Sequence, residues 1–255
     1  MRFASIGSGS RGNGTLVASA SGCVLVDCGF ALRDVEARLQ FLGVAPGDLD
    51  GILVTHEHSD HAIGVARLAR RYAITVFTTA GTARQVDFAG CSVELINPTR
   101  CFDVGGLVVQ PVIVPHDARD PVQFVFRNEN RKFGVLTDAG HVTQHMLDAY
   151  ARCDALMVEC NHDTDLLWAG RYPEMLKRRV AGPHGHLNNG QAASFIGALA
   201  GPQLQALVLA HLSQQNNSEA QAVDAIRGVL EQIGSVPSLM TVATQDRGCG
   251  WVTVN

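Results

Sequence analysis

A cluster of histidines directly after one apolar segment constrains this chain more than any other feature. GILVT at residues 51–55 predicts a short buried strand, and residues 55–61 have the sequence THEHSDH. Imidazole and carboxylate groups are the usual ligands of zinc, and they also suit iron and manganese. A solvated polar loop is the alternative, but three of the chain's ten histidines lie here beside a carboxylate. The pattern therefore predicts a strand that ends at a metal site.

The spacing within this cluster allows its side chains to face one cavity. Side chains two residues apart on a strand point to the same face, so His56 and His58 share a face. Asp60 and His61 fall in the predicted turn into the next helix and can face back at the same cavity. One short loop can therefore offer ligands to two metal ions.

Composition is typical of one layered α/β domain over residues 1–255, with 46% hydrophobic and 17% charged residues. The net charge of −4 excludes a strongly basic nucleic-acid coat but not a local basic groove. The seven cysteines, an odd number without a CxxC pair, indicate reduced thiols. Neither a signal peptide nor an apolar run of about 18 residues occurs, so we expect a cytoplasmic protein without a membrane span.

Apolar periodicity predicts strands and helices in both halves of the chain. Strands are predicted at 2–7, 14–20, 23–29, 51–55, 74–78, 107–115, 122–127, 132–138, 155–159 and 206–210, the segments from 107 to 138 being antiparallel. Helices are predicted at 32–41, 63–72, 143–151, 173–180, 189–200 and 218–232, and a closing hairpin at 241–255. The order predicts two sheets packed face to face with helices outside.

The HxHxDH pattern resembles the signature of the metallo-β-lactamase superfamily. That resemblance implies a four-layer αβ/βα sandwich (α/β, or α+β in some schemes) with a dinuclear site on one edge. The family's remaining ligands are a distant histidine, a bridging aspartate and a late histidine. His116, Asp138 and His211 occur in that order, each at the end of a predicted strand.

A more specific resemblance spans nearly the whole chain. GSGSRGN, LVDCG, PHDARDP, LTDAGHV, ECNHD, GRYPEMLKRRV, GHLNN and LAHLSQQNN look like the YycJ/WalJ subfamily, whose members resemble 5′-to-3′ exonucleases. A near relative is the cyclic phosphodiesterase group of phosphonate metabolism. Asn188 departs from the subfamily, in which serine follows GHL, although asparagine can still cap the helix that follows.

The resemblance implies a ligand set for two divalent metal ions, zinc first with manganese or iron as alternatives. It assigns His56, His58 and His116 to one metal, Asp60, His61 and His211 to the other, and Asp138 together with a hydroxide as bridges. Two ions and two aspartates leave a formal charge of about +2, which attracts an anionic phosphodiester and stabilises its transition state. Asp60 is expected to hydrogen-bond the hydroxide and hold it in line.

His186 is the candidate that protonates the leaving alkoxide, as a histidine at the matching place does in the phosphodiesterase branches. A surface histidine in a glycine-rich loop is the alternative, and His184 could compete. His162 is a candidate lining residue of the cavity, and His141 a candidate for orienting a ligand. His145 is expected to be solvated.

Basic residues at 170–180 are candidates for binding substrate phosphates. Arg171, Lys177, Arg178 and Arg179 stand against Glu174 alone, and a solvated helix face is the alternative. Arg11 is a weaker candidate for the same task, and Tyr172 for stacking on a base.

The predicted function is a dinuclear metal-dependent phosphodiester hydrolase, a DNA 5′-to-3′ exonuclease. A cyclic phosphodiesterase and a glyoxalase II-like thioester hydrolase are the enzymatic alternatives, because related enzymes use similar ligands. A metal-binding regulatory protein is the non-enzymatic alternative. It would need a broken ligand set, whereas all the ligand positions are filled here.

Overall fold

Two seven-stranded sheets form the centre of the molecule in a computed structural model that describes residues 1–128 and 130–255. The first sheet has the order β14-β1-β2-β3-β4-β5-β6 and the second β13-β12-β11-β10-β9-β8-β7. Each sheet is antiparallel on one side and parallel on the other, the parallel strands being β3 to β6 in the first and β10 to β13 in the second.

The strands are β1 Arg2–Gly7, β2 Gly14–Ala18, β3 Cys23–Val26, β4 Gly51–Val54, β5 Val76–Thr78, β6 Val93–Leu95, β7 Phe102–Val104, β8 Leu107–Ile113, β9 Val122–Arg127, β10 Lys132–Leu136, β11 Ala155–Glu159, β12 Ala206–Ala210, β13 Leu239–Val242 and β14 Cys249–Thr253. The helices are α1 Leu32–Phe41, α2 Ser59–Ala62, α3 Val65–Tyr72, α4 Ala80–Ala83, α5 Gln144–Tyr150, α6 Thr164–Ala169, α7 Glu174–Val180, α8 Asn189–Leu199 and α9 Glu219–Gln232. Within the described part of the chain, no helix is long and apolar enough to cross a membrane.

The two sheets share one apolar core, which identifies the sandwich. Phe3 of the first sheet stacks on Phe133 of the second, with 3.8 Å between ring centroids. On the outer faces, α1 and α3 cover the first sheet through Val35 and Leu68, and α5, α8 and α9 cover the second. This αβ/βα layering confirms the predicted fold class. The prediction of a single domain over 1–255 stays a prediction, which the shared core supports.

The predicted closing hairpin at the C-terminus is wrong. Strand β13 pairs in parallel with β12 in the second sheet, whereas β14 pairs antiparallel with β1 in the first. Between these two strands, Thr244 and Gly248 form an isolated antiparallel bridge that closes a turn. Because apolar alternation is the same in both arrangements, the sequence pattern could not tell a hairpin from two edge strands.

Polar side chains gather at the carboxyl ends of five strands. β4, β8, β10, β11 and β12 run so that their carboxyl ends lie along one edge of the sandwich, and each is followed by a histidine or an acidic residue or ends in one. Edges of this kind are where α/β folds bind ligands. The fold therefore places the candidate site between the two sheets' loops.

Candidate metal centre

The first group of ligand-type side chains combines the loop after β4 with the end of β8. His56 Nε2 lies 3.1 Å from His58 Nδ1, and His58 Nδ1 lies 3.3 Å from His116 Nε2. His56 and His116 are buried, and His58 is 29% exposed. These three nitrogens face one another within the reach of a single ion.

The second group combines α2 with the residue after β12. His61 Nε2 and His211 Nε2 each lie 3.6 Å from Asp60 Oδ2. His211 adopts a left-handed backbone conformation with φ 52°, which is uncommon for a non-glycine residue. Its N–H donates to Ser8 Oγ and its carbonyl accepts from Asn161 Nδ2, and these bonds hold the unusual conformation.

Asp138, two residues beyond the end of β10, lies between the two groups of ligand-type side chains. Its Oδ2 is 3.0 Å from His61 Nε2, and its Oδ1 is 3.8 Å from His116 Nε2. The side chain is buried, and among the described residues Oδ2 has no hydrogen-bond partner. One carboxylate thus contacts a histidine of each group.

Hydrogen bonds to Asp27 fix the protonation of two histidines. His61 Nδ1 lies 2.7 Å from Asp27 Oδ2, which also accepts from Thr55 Oγ1. Since Thr55 Oγ1 spends its proton on Asp27, it accepts from His56 Nδ1 at 2.9 Å. A neutral imidazole carries one proton, so both histidines turn an unprotonated Nε2 toward the cavity.

Partners that can only accept a hydrogen bond determine which ring nitrogen carries the proton in the other three histidines. His116 Nδ1 donates to Gly185 O, and His211 Nδ1 donates to Thr137 O. His58 Nε2 lies 3.3 Å from Asp117 Oδ1, which leaves its Nδ1 unprotonated. Outer partners of this kind set the tautomer and orientation of metal-binding histidines.

This arrangement fits divalent metal ions. With all of these rings neutral, unprotonated nitrogens and carboxylate oxygens would face each other at 3.0–3.3 Å without a proton between them, as at His61 Nε2 and Asp138 Oδ2. Lone pairs that converge in this way repel one another unless a cation binds them. The unpartnered Asp138 Oδ2 is therefore explained by a missing positive charge.

The pKa shifts of the histidines also indicate that the site requires positive charge beside its carboxylates. Burial alone would lower the pKa of His61 and the pKa of His211. Asp138 and further carboxylates outweigh burial, so both pKa values are raised, and the pKa of His211 is raised to about 9. Burial lowers the pKa of His116 to about 4 and that of His56 well below its usual value. Protons thus replace cations beside the carboxylates, while His56 and His116 stay neutral.

His186 lies in the cavity beside the ligand groups. Its Nδ1 is 2.7 Å from Glu159 Oε1 and 3.3 Å from Asp138 Oδ1. Glu159 is fully buried, and its Oε2 accepts from the N–H groups of Ala139 and Leu187. Burial alone would lower the pKa of His186, but Glu159 outweighs it and raises that pKa. The raised pKa favours the protonated ring, in which Nδ1 donates to Glu159 and Nε2 is free to donate.

A cavity of about 240 Å³ joins these side chains to solvent. Its lining comprises Ser10, His58, Asp60, His116, Asp117, Asp138, Tyr172, Leu176, Arg179, Val180, His184, Gly185, His186 and His211. Tyr172, a weak candidate from sequence, is among them, and so is His184. Gly185 is required here, because a Cβ would collide with the carbonyl oxygens of Val180 and Arg179.

Only one of the basic candidates lines this cavity. Arg179 does so, and it makes two hydrogen bonds to Asp117, of 2.7 and 3.1 Å. Lys177 is buried and its Nζ donates to Trp168 O, so it cannot meet a phosphate in this conformation. Arg178 is exposed outside the cavity and pairs with Glu174 one helical turn away. Arg171 lies beside a separate pocket.

The remaining histidine candidates differ in position. His162 is 1% exposed and is not among the residues that line the cavity, so it offers no surface to a substrate in this conformation. His141 is exposed and donates to Pro183 O in the loop that carries His186, rather than to a ligand. His145 is exposed on α5, as expected. Arg11 pairs with Asp246 outside the cavity.

Asn188, the departure from the subfamily pattern, caps α8. Its Oδ1 accepts from Gln191 N at 2.8 Å, and Gln191 Oε1 accepts from Asn188 N in return. This capping box confirms the structural role expected of asparagine at the helix start.

Four polar residues at the site were not singled out from the sequence. They are Asn13, Asp27, Asp117 and Glu159, each of which contacts a histidine or aspartate of the cluster. The motifs that contain them, GSGSRGN, LVDCG, PHDARDP and ECNHD, carry only the resemblance to the subfamily. Only Asp27 and Glu159 have a signal in the sequence, an acid at the end of a predicted strand, because such acids commonly orient ligand histidines.

Comparison with known families identifies the class of protein. The beta-lactamase superfamily domain matches residues 23–212, the segment that carries all of the ligand-type side chains. The chain therefore belongs to this superfamily. Its fold and its converging histidines and carboxylates define a metal-dependent hydrolase.

Two relatives within this superfamily are similar to the chain over most of their length, and both belong to the YycJ/WalJ group. The chain is 33% identical to exodeoxyribonuclease YycJ of Bacillus anthracis over 92% of this chain and 90% of that protein. It is 32% identical to exodeoxyribonuclease WalJ of Streptococcus pneumoniae over 85% and 83%. The fold also matches the crystal structure of the metallo-beta-lactamase fold protein YhfI from Bacillus subtilis, with a TM-score of 0.75, 15% identity and 98% of both chains covered.

Proposed function

We propose that this protein binds two divalent metal ions and hydrolyses phosphodiester bonds as a DNA 5′-to-3′ exonuclease. The observation that carries the proposal is the pair of ligand groups joined by Asp138. His56, His58 and His116 would hold one ion, and Asp60, His61 and His211 the other. Asp138 contacts both groups and would bridge the ions.

The chemistry of this donor set supports phosphodiester hydrolysis. When bound, two divalent ions supply Lewis acidity and lower the pKa of a water toward about 7. The excess positive charge of such a site attracts an anionic diester and suits the extra charge of its transition state. Zinc matches the histidine-rich donors first, and manganese or iron suit them as well.

Two side chains of the cavity would act on the substrate itself. Asp60 is 22% exposed, and its carboxylate can accept a hydrogen bond from the attacking oxygen and orient it. His186, protonated beside Glu159, can donate that proton to the leaving alkoxide. Arg179 lines the cavity and has N–H groups beyond the two that donate to Asp117, so it can also bind a non-bridging phosphate oxygen.

DNA is proposed as the substrate because of the two relatives. Both are named exodeoxyribonucleases, and the similarity extends over most of each chain. The cavity supports this choice, since it offers the aromatic ring of Tyr172 for a base and Arg179 for a phosphate.

The deciding assay follows 5′-labelled single- and double-stranded DNA with metal-reconstituted protein. We expect stepwise loss from the 5′ end with zinc or manganese and none after chelation. A 3′-labelled substrate run in parallel reports polarity. Loss from the 3′ end first, or no DNA cleavage at all, contradicts the proposal.

Variants separate catalysis from metal binding. His186→Ala should retain both metal ions and lose most turnover, whereas Asp60→Ala should lose turnover together with metal. His145→Ala is the matched control, because His145 is exposed on α5 outside the cavity. Equal activity of His186→Ala and His145→Ala would remove the proton-donor role.

Two further substrates test the alternative functions. Turnover of a small cyclic phosphodiester without cleavage of DNA would assign a cyclic phosphodiesterase. Turnover of a glutathione thioester alone would assign a glyoxalase II-like hydrolase. Full metal content without hydrolysis of any of the three would favour a regulatory metal-binding protein.

A further inference from the structure

A second pocket, of about 620 Å³, is lined in part by residues close in sequence to those that line the 240 Å³ cavity, which we call the catalytic cavity. We call the second pocket the outer pocket, and its lining consists of Leu166, Ala169, Gly170, Arg171 and Gln215. Two of its walls continue elements of the catalytic cavity. Arg171 precedes Tyr172, which lines the catalytic cavity, and Gln215 lies in the loop that follows His211.

The outer pocket contains the one unpaired cation of the basic segment. Among the described residues, Lys177 donates to a carbonyl and Arg178 and Arg179 pair with carboxylates. The Arg171 side chain is exposed and takes part in no ion pair or hydrogen bond within residues 1–128 and 130–255. Its guanidinium is therefore free to bind an anion at this surface.

The rest of the lining suits a nucleobase. Leu166 is 37% exposed and, with Ala169, presents an apolar surface next to the cation. Gln215 is exposed and offers both a donor and an acceptor. An apolar wall, one amide and one arginine are together the groups that bind the base and the phosphate of one nucleotide.

Internal contacts hold the walls of this pocket in place. Lys177 Nζ donates to Trp168 O at 2.6 Å and ties the end of α6 to α7. Asp163 caps α6 through Leu166 N, and Asp163 N donates to Asn216 O in the opposite wall. At Gly170 a Cβ would lie 2.7 Å from Asn216 Oδ1, so glycine permits this close approach. The buried lysine therefore shapes the pocket without contacting its occupant.

We propose that the outer pocket binds the nucleotide on the 3′ side of the scissile phosphate in a DNA strand, with Arg171 on the next phosphate, the one that follows this nucleotide on its 3′ side. The proposal rests on the proposed exonuclease function, because a strand cut from its 5′ end continues out of the catalytic cavity on the 3′ side. A nucleic acid fits better than a protein partner here, since the pocket and the catalytic cavity are lined by the same two chain segments and the pocket carries an unpaired positive charge.

The test compares Arg171→Ala with Arg178→Ala in the metal-loaded enzyme. Both changes remove one exposed arginine from the same segment, but Arg178 lies outside both pockets. The measurement is kcat/KM on a single-stranded oligonucleotide as a function of salt. A lost phosphate contact reduces the slope of log(kcat/KM) against log[salt] by about 0.7 on single strands. We expect this change for Arg171→Ala only, and recovery of the slope in Arg171→Lys.

A small aromatic phosphodiester, which cannot reach the outer pocket, should be cleaved equally by all variants. Slower cleavage of this diester by Arg171→Ala would overturn the proposal, because Arg171 would then act on the catalytic cavity. Equal salt slopes for Arg171→Ala and Arg178→Ala would also overturn it.

Two results distinguish failure of the inference from failure of the proposed function. If the parent enzyme cleaves DNA and the slopes are equal, the inference alone fails. If the parent cleaves only the small diester, the exonuclease function fails and takes the inference with it. An unchanged slope together with an Arg171-dependent dimer in sedimentation would assign the outer pocket to a second copy of the chain.

Discussion

Replacing Asp27 by asparagine should weaken metal binding although Asp27 is not itself among the proposed ligands. Its carboxylate accepts three hydrogen bonds, from Thr55 N, Thr55 Oγ1 and His61 Nδ1, at 2.8, 2.8 and 2.7 Å. The residue adopts φ 60°, which asparagine tolerates as well as aspartate does. The substitution therefore changes the hydrogen bonds without adding backbone strain.

An asparagine at this position cannot satisfy all three donors. With its oxygen on Thr55 N, its amide nitrogen faces His61 Nδ1 and forces the His61 proton onto Nε2, the atom that faces Asp138 Oδ2. In the flipped orientation, two N–H groups face each other at Thr55 N. Leaving one buried donor unsatisfied costs about 1–3 kcal/mol. Loss of an outer partner commonly weakens metal binding by about tenfold to a hundredfold.

The assay is competition for zinc between the protein and a chromophoric chelator at fixed pH. Thermal unfolding of the metal-free protein accompanies it, because the flipped orientation lowers stability without metal. Asp154→Asn is the matched control. Asp154 accepts from Lys132 N at 2.8 Å at the opposite ends of β10 and β11, so it should affect stability only. If Asp27→Asn binds zinc as tightly as Asp154→Asn, histidine orientation by Asp27 is refuted.

Three further predictions concern protons and packing at the site. Burial lowers the pKa of His186, but the Glu159 carboxylate raises it by more. Glu159→Gln removes that charge, so the basic limb of the pH–rate profile should move to lower pH while the metal content stays unchanged. An unmoved limb would refute this coupling. In the chelated protein, the pKa of His211 is raised from 6.5 to about 9, so its stabilising contribution is complete below about pH 6.5 and lost as pH rises through about 9. Denaturant titrations of chelated protein across this range should show that loss, and constant stability would contradict it. Gly185→Ala should reduce turnover far more than metal content, because the new Cβ collides with Val180 O and displaces the loop of His186. Wild-type turnover in this variant would show that the loop accommodates the Cβ without displacing His186.

The sheets and the converging side chains could be predicted because both have strong signals. The run ALVLA is apolar throughout, and ALMVE is apolar up to its last residue, Glu159, as expected of strands buried on both faces; β11 and β12 are indeed fully buried. Histidine is scarce, so its position after β4, β8 and β12 stands out in the sequence. Short or polar elements gave no such signal, and β6, β7 and α6 were not predicted.

The outer partners of the histidines could not be predicted, because each depends on tertiary contacts. Asp27 lies 34 residues from His61, and Glu159 lies 27 residues from His186. Nothing local distinguishes these acids from other acids at strand ends. The burial of Lys177 is likewise a tertiary effect, since the carbonyl of Trp168 lies on another helix.

The division of the ligand-type side chains between the two sheets has a consequence for stability. The first sheet contributes His56, His58, Asp60 and His61, and the second contributes His116, Asp138 and His211. Neither sheet's loops alone complete either group, so an ion held by either group would join both halves of the sandwich. A ligand that binds only the native state stabilises it in proportion to the logarithm of its free concentration over its Kd. Metal ions should therefore stabilise the packing of one sheet on the other, because separating the sheets would break both ligand groups at once.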